Sequence, residues 1–93
     1  MIRSFACQDT EKWFNDQPSR RLPPRIQQSA RRKLLLLHQA RRLRDLSAPW
    51  GNRLEALKGD REGQHSIRIN DQWRLCFRWQ GEDAFDVEIV DYH

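Results

Sequence analysis

Three stretches of the chain alternate apolar and polar residues with a period of two. Ile67 and Ile69 alternate with Ser66 and Arg68, and Trp73, Leu75, Phe77 and Trp79 alternate with Arg74, Cys76 and Arg78. Phe85, Val87 and Ile89 alternate with Asp86, Glu88 and Val90. Such patterns predict half-buried strands, joined by turns at Asn70-Asp71 and Gly81-Glu82-Asp83. Upstream the period changes. Ile26, Ala30, Leu34, Leu37 and Ala40 recur at intervals of three and four, one face of a helix opened by Pro23-Pro24. Leu36 and Leu43 widen the stripe, while Arg31, His38 and Arg42 fall on the opposite, solvated side. Leu35 also points outward and marks a possible protein-partner surface. A shorter helix is expected over Glu11-Lys12-Trp13-Phe14, capped by Asp9 or Thr10 and ended near Pro18. Residues 2–5 can add a short strand. From 47 to 63, Pro49, Gly51, Gly59 and Gly63 break the pattern, and Leu54 and Leu57 pin the segment to the core.

The element order is therefore β-α-α-β-β-β, an α+β domain. An antiparallel meander, with a fourth strand from the N-terminal segment, is covered on one face by two helices. Odd-numbered apolar residues share the covered face and even-numbered residues the open one. With Ile69 paired to Trp73 and Trp79 to Phe85, Arg68 lies beside Arg74 and Arg74 opposite Val90. Tyr92 is then one diagonal step from Arg74.

Ninety-three residues, 38% apolar, suffice for a single domain spanning 1–93. The longest aliphatic run, Leu34–Leu37, is far below the roughly 18 residues of a membrane span. Met1-Ile2-Arg3-Ser4-Phe5 has no signal-peptide character, so a cytoplasmic protein without a membrane partner is expected. Cys7 and Cys76 have no metal-ligand spacing and read as reduced thiols. Charge is unevenly spread. Residues 1–46 hold eleven basic and four acidic side chains, and residues 47–93 six and nine, giving the net +4. Fourteen of the 17 basic residues are arginine, whose planar fork suits phosphate.

Arg68, Arg74 and Tyr92 on the open face, with Lys58 and Arg61 on the glycine-rich loop before it, fit a bound phosphodiester. Cutting RNA requires removal of the 2′-hydroxyl proton, cations for the phosphorane and a proton for the 5′-oxygen. An RNA hydroxyl as nucleophile needs no metal or other cofactor. Asp91-Tyr92-His93 supplies the acid–base groups nearest those arginines. His65 shares the parity of the core face, which sets it off this site. Gly59-Asp60-Arg61-Glu62-Gly63 is no P-loop, since it lacks Gly-Lys-Ser/Thr.

Leu54-Glu55-Ala56-Leu57-Lys58-Gly59-Asp60-Arg61-Glu62-Gly63, then Ser66-Ile67-Arg68-Ile69-Asn70, Trp73-Arg74 and Asp91-Tyr92-His93, together resemble the HigB-type toxins. These are plasmid-maintenance killer proteins of the RelE superfamily, and the resemblance spans the whole chain. It implies a small RelE-like, microbial-ribonuclease-like fold and a ribosome-dependent mRNA endonuclease acting without metal. It also implies a cognate helix-turn-helix antitoxin of the HigA type, with operator DNA bound only through the toxin–antitoxin complex.

By the same resemblance, Arg74 matches the family's phosphate-contacting arginine, and Asp91, Tyr92 and His93 match its terminal catalytic residues. Lys58 matches the lysine of Leu-Lys-Gly, an RNA or ribosome contact. Where a family member has a catalytic histidine just before Leu-Lys-Gly, this chain has Glu55, so either Glu55 or His93 takes the proton. Two other functions fit the same fold: a non-enzymatic inhibitor like the gyrase-poisoning toxins, and a plain RNA-binding module.

Overall fold

The computed structural model describes residues 1–47 and 52–91. Two helices, α1 (Gln8–Phe14) and α2 (Gln27–Gln39), precede four strands, β1 (Glu55–Ala56), β2 (His65–Arg68), β3 (Trp73–Gln80) and β4 (Asp83–Asp91). The strands form one antiparallel sheet in the order β1-β2-β3-β4. A short 3₁₀ turn, Pro24–Ile26, leads into α2, and its proline lies where a missing N–H costs nothing. Ala30, Leu34 and Leu37 on α2, with Ile26 and Ala40 at its ends, are buried against Ile67, Leu75, Phe77, Val87 and Ile89. Cutting Leu34 or Leu37 to alanine should cost about 2–5 kcal/mol, because both are fully enclosed.

The fourth strand differs from the expected one. It comes from Glu55–Ala56, inside the segment that proline and glycine interrupt, and a pair of residues is too short for periodicity to register. The N-terminal segment instead makes two isolated parallel bridges, Ile2 with Ala84 and Phe5 with Val87. Further along that edge, the Thr10 hydroxyl accepts a hydrogen bond from the Ile89 amide at 3.0 Å. Together they cover the outer edge of β4, which would otherwise present unpaired amides.

That role removes Thr10 from the cap expected of it. Helix α1 begins earlier, with Cys7 at the N-cap position, and Asp9 accepts a hydrogen bond from Ser19 Oγ at 2.7 Å. Arg31 is not simply solvated either. Its Nε donates to the Trp13 carbonyl at 3.1 Å, and its Nη1 lies 3.4 Å from Asp16, clamping the last turn of α1. His38, expected in solvent, accepts a hydrogen bond at Nδ1 from the Ile2 amide (3.1 Å) and meets the Phe14 ring edge-on.

Register holds where the candidate site lies and slips elsewhere. Arg68 pairs with Arg74 and Arg74 with Val90, as expected. Trp79, however, pairs with Ala84 rather than Phe85. The β3–β4 turn is therefore tighter than expected, with Gly81 at positive φ, and one extra residue in β4 restores the register between Arg78 and Cys76. Asp86, in the bulge, also has positive φ. Consequently Ala84 is fully buried, whereas Phe85 leaves the core cluster and stands opposite Arg78 on the open face. Among the described residues, no helix is long and apolar enough to cross a membrane.

Candidate active site on the open sheet face

Antiparallel partners share a face, so the register lays the open-face side chains in rows. Glu55, Ser66, Cys76 and Glu88 form one row across the four strands, and Arg68, Arg74 and Val90 form the next. Arg78 and Phe85 form a third beyond the bulge. Four arginines thus belong to this face, because Arg61 reaches over it from the 3₁₀ turn Gly59–Arg61. Gly63 has a positive φ of 91°, and a Cβ there would come within 2.9 Å of Arg78 Nη1. Its bare backbone lets the loop lie against that guanidinium.

Arg74 is the most enclosed of the four, at 8% exposure. Its Nε donates to Ser66 Oγ at 2.8 Å and one Nη to the Arg53 carbonyl at 2.6 Å. Its other Nη lies 3.8 Å from Glu55 Oε1, and the Glu55 side chain is half exposed. The first two contacts fix the guanidinium plane, while the third is a loose ion pair in contact with water. Arg53 reaches this position through a left-handed backbone conformation, φ 46°.

Each neighbouring arginine faces a carboxylate. Arg61 donates to Glu88 Oε1 at 2.8 Å and to Gln64 Oε1 at 3.0 Å. Arg78 lies 3.5 Å from Asp86, and Arg68 pairs with Asp71. This pairing lets Arg68 and Arg74 sit side by side despite their like charge. Beneath them, burial pushes the Cys76 thiol pKa upward, as does Glu88, while Arg61 and Arg74 pull the other way. Cys76 is fully enclosed.

Of the residues singled out from sequence, Glu55, Arg68 and Arg74 come together, with Arg61 beside them across the Glu88 row. Lys58 is exposed, one residue ahead of the 3₁₀ turn that carries Arg61. Asp91 pairs with Trp73, so alternation sends its side chain to the opposite side from Arg74, where it accepts a hydrogen bond from Gln72 Nε2 at 3.1 Å. Tyr92 and His93 lie outside the described residues. His65 stacks on Phe77 at a ring-centroid distance of 6.2 Å and stays off the site, as its parity requires. Sequence reasoning missed Ser66 and the Arg53 carbonyl as holders of Arg74. Parity already places Ser66 on the arginine face, but the carbonyl depends on a loop conformation that no pattern encodes.

The arrangement puts an enclosed guanidinium beside a half-exposed carboxylate, among arginines that each face a carboxylate of their own. An anionic oxygen can replace the loosely held Glu55 at Arg74, leaving that carboxylate adjacent to the bound group. Comparison with known proteins identifies the family. The family described as RelE-like toxin of type II toxin-antitoxin system HigB matches residues 3–93. The chain is 39% identical over 80 residues to Toxin HigB-1 of Vibrio cholerae serotype O1, a match covering 81% of this chain and 84% of that protein. It is 44% identical over 41 residues to Endoribonuclease HigB of Proteus vulgaris, covering 44% of this chain and 45% of that one.

Proposed function

Because the chain belongs to the HigB-like toxins, the RelE-like toxins of type II toxin–antitoxin systems, we propose that it is an endoribonuclease that cuts mRNA on the ribosome. The Arg74–Glu55 pair at the centre of the arginine face carries this reading. In the proposed reaction the RNA 2′-hydroxyl attacks the adjacent phosphorus and the bond to the 5′-oxygen breaks, leaving a 2′,3′-cyclic phosphate and a 5′-hydroxyl. Arg74, supported by Arg68, stabilises the charge that builds on the phosphorane oxygens. Either Glu55 or His93 accepts the 2′-hydroxyl proton, and His93 protonates the departing oxygen. Asp91, whose side chain lies on the opposite side of the sheet from Arg74, touches no phosphate and acts only by orienting His93, while Tyr92 orients or stacks on a nucleotide and Lys58 and Arg61 hold the RNA backbone.

The nucleophile belongs to the substrate, so the reaction requires no metal. A site with so few acid–base groups gains most from a ribosome that holds the mRNA in line for attack. The basic N-terminal half suits docking on ribosomal RNA. As a type II toxin, the protein has an antitoxin for partner. We take that antitoxin to be a helix-turn-helix protein of the HigA type, through which alone the complex binds operator DNA. The whole acts as a single cytoplasmic domain over 1–93.

Purified translating ribosomes carrying a defined mRNA test the reading. Fast cleavage on ribosomes is expected, with slow or absent cleavage of free RNA, unaffected by EDTA at levels that leave ribosomes intact. Equal cleavage of naked RNA would refute ribosome dependence. Growth arrest without any cut RNA would replace the nuclease with a non-enzymatic inhibitor.

A further inference from the structure

On the helical side of the molecule, α2 and Ile69, the residue that follows β2, line a groove of about 480 Å³. Its lining includes Leu35, Leu36 and Ile69 together with Arg32, Lys33 and Gln39. Leu35 is 46% exposed, and with Met1 it makes up the exposed large hydrophobics among the described residues. Neither the core nor the candidate site uses it. Lys33 is crowded by like charge: desolvation lowers its pKa, and so do the fields of Arg32 and Arg68. The amine donates to the neutral side-chain oxygen of Asn52, and no carboxylate lines the groove among the described residues.

We propose that this groove is a docking surface for the antitoxin, and that its occupant is an acidic amphipathic segment. An apolar side chain of that segment covers Leu35, and its carboxylates lie against Arg32 and Lys33. The chemistry selects this occupant. Arg32 and Lys33 taken alone would also suit phosphate, but the aliphatic side chains at 35, 36 and 69 beside them call for an apolar anchor, which a nucleic-acid backbone does not carry. The cations lie one position apart on α2, beside that anchor, so flanking carboxylates would relieve their mutual repulsion. Ser29 to Gln39 spans about 15 Å of helix, the length of roughly three turns of a partner helix. The proposal rests on membership of the toxin–antitoxin family and not on the nuclease reading.

The test uses the toxin co-expressed with its cognate antitoxin. Leu35→Glu and, separately, Arg32→Glu change exposed positions, so both proteins should fold with unchanged circular dichroism. Affinity for purified antitoxin, measured by calorimetry, should fall about tenfold or more in each. Growth arrest by either variant should escape antitoxin rescue. A photo-cross-linking residue at position 35 should attach to an antitoxin segment that carries acidic residues flanking an apolar one. Unchanged affinity in both variants would overturn the proposal. So would cross-links to ribosomal RNA alone, with antitoxin binding intact. Failure of the nuclease reading would appear only in the cleavage assay and would leave these affinities as they stand.

Discussion

Arg74→Ala should damage the protein in two separable ways, and the contacts give the size of each. The first is structural. Ser66 is fully buried and its hydroxyl loses its partner, a cost of about 1–3 kcal/mol for an unsatisfied buried group. The charged hydrogen bond to the Arg53 carbonyl also goes, although the exposed Arg53 lets water reach that oxygen in part. The ion pair with half-exposed Glu55 adds only about 0–1 kcal/mol after solvent screening. A total near 2–4 kcal/mol lowers the melting temperature on the order of 15 °C in a domain of this size, and the protein still folds at moderate temperature.

The second effect is chemical. Losing the cation at the phosphorane should slow cleavage about 10²–10³-fold per folded molecule. Thermal melts and ribosome-programmed cleavage on the same samples separate the two. Adding Ser66→Ala to Arg74→Ala removes the stranded hydroxyl, so stability should recover by about 1 kcal/mol while the rate stays low. Arg74→Lys should keep part of the stability but little of the rate, because one ammonium cannot reproduce a planar fork that reaches Ser66, the Arg53 carbonyl and Glu55 at once. An Arg74→Ala protein that melts with the parent would refute the enclosed network. One that is folded and cleaves at the parental rate would remove Arg74 from the chemistry.

Three further outcomes are expected. Alkaline pH should destabilise the fold through Cys76: its folded pKa is raised, so the unfolded thiol ionises first, and the contribution present below about pH 8.5 is lost as pH rises. Cys76→Ala should flatten that part of a stability-against-pH curve, and an unchanged slope would contradict the assignment. His38→Ala should cost about 1–2 kcal/mol and speed hydrogen exchange at the Ile2 amide without changing cleavage per folded molecule; a solvated His38 would change neither. His93→Ala should slow cleavage about 10²–10⁴-fold if His93 moves the proton, and Glu55→Gln in the same assay tells which group is the base.

Legibility in the sequence follows the range of the physics behind each element. Period-two and helical patterns report which side of a residue meets the core, so β2, β3, β4 and α2 were readable, as were the residues on each sheet face everywhere but at the turn end of β4, where Ala84 and Phe85 exchange faces. The cap at Asp9 or Thr10 and the solvated reading of His38 went astray for one reason. Both side chains are captured by segments distant in sequence, Thr10 by Ile89 and His38 by Ile2. Local pattern cannot anticipate such partners.

The slip at Trp79 carries the strongest lesson for the site. A tight turn at Gly81 displaces the pairing by one residue, which alone would have moved every open-face side chain of β4 onto the covered face. The bulge at Asp86 takes up the displaced residue, so Glu88 and Val90 return to the face of Cys76 and Arg74. The turn half of the hairpin and the site half therefore obey different registers, and only the site half matches simple alternation. Phe85 marks the seam: it has the sequence signature of a core residue and stands instead beside Arg78. Replacing Asp86 by a β-branched residue, which poorly tolerates its positive φ, should strain the bulge rather than the core. The expected result is disturbed pairing across Glu88 and Cys76, with α2 packing retained.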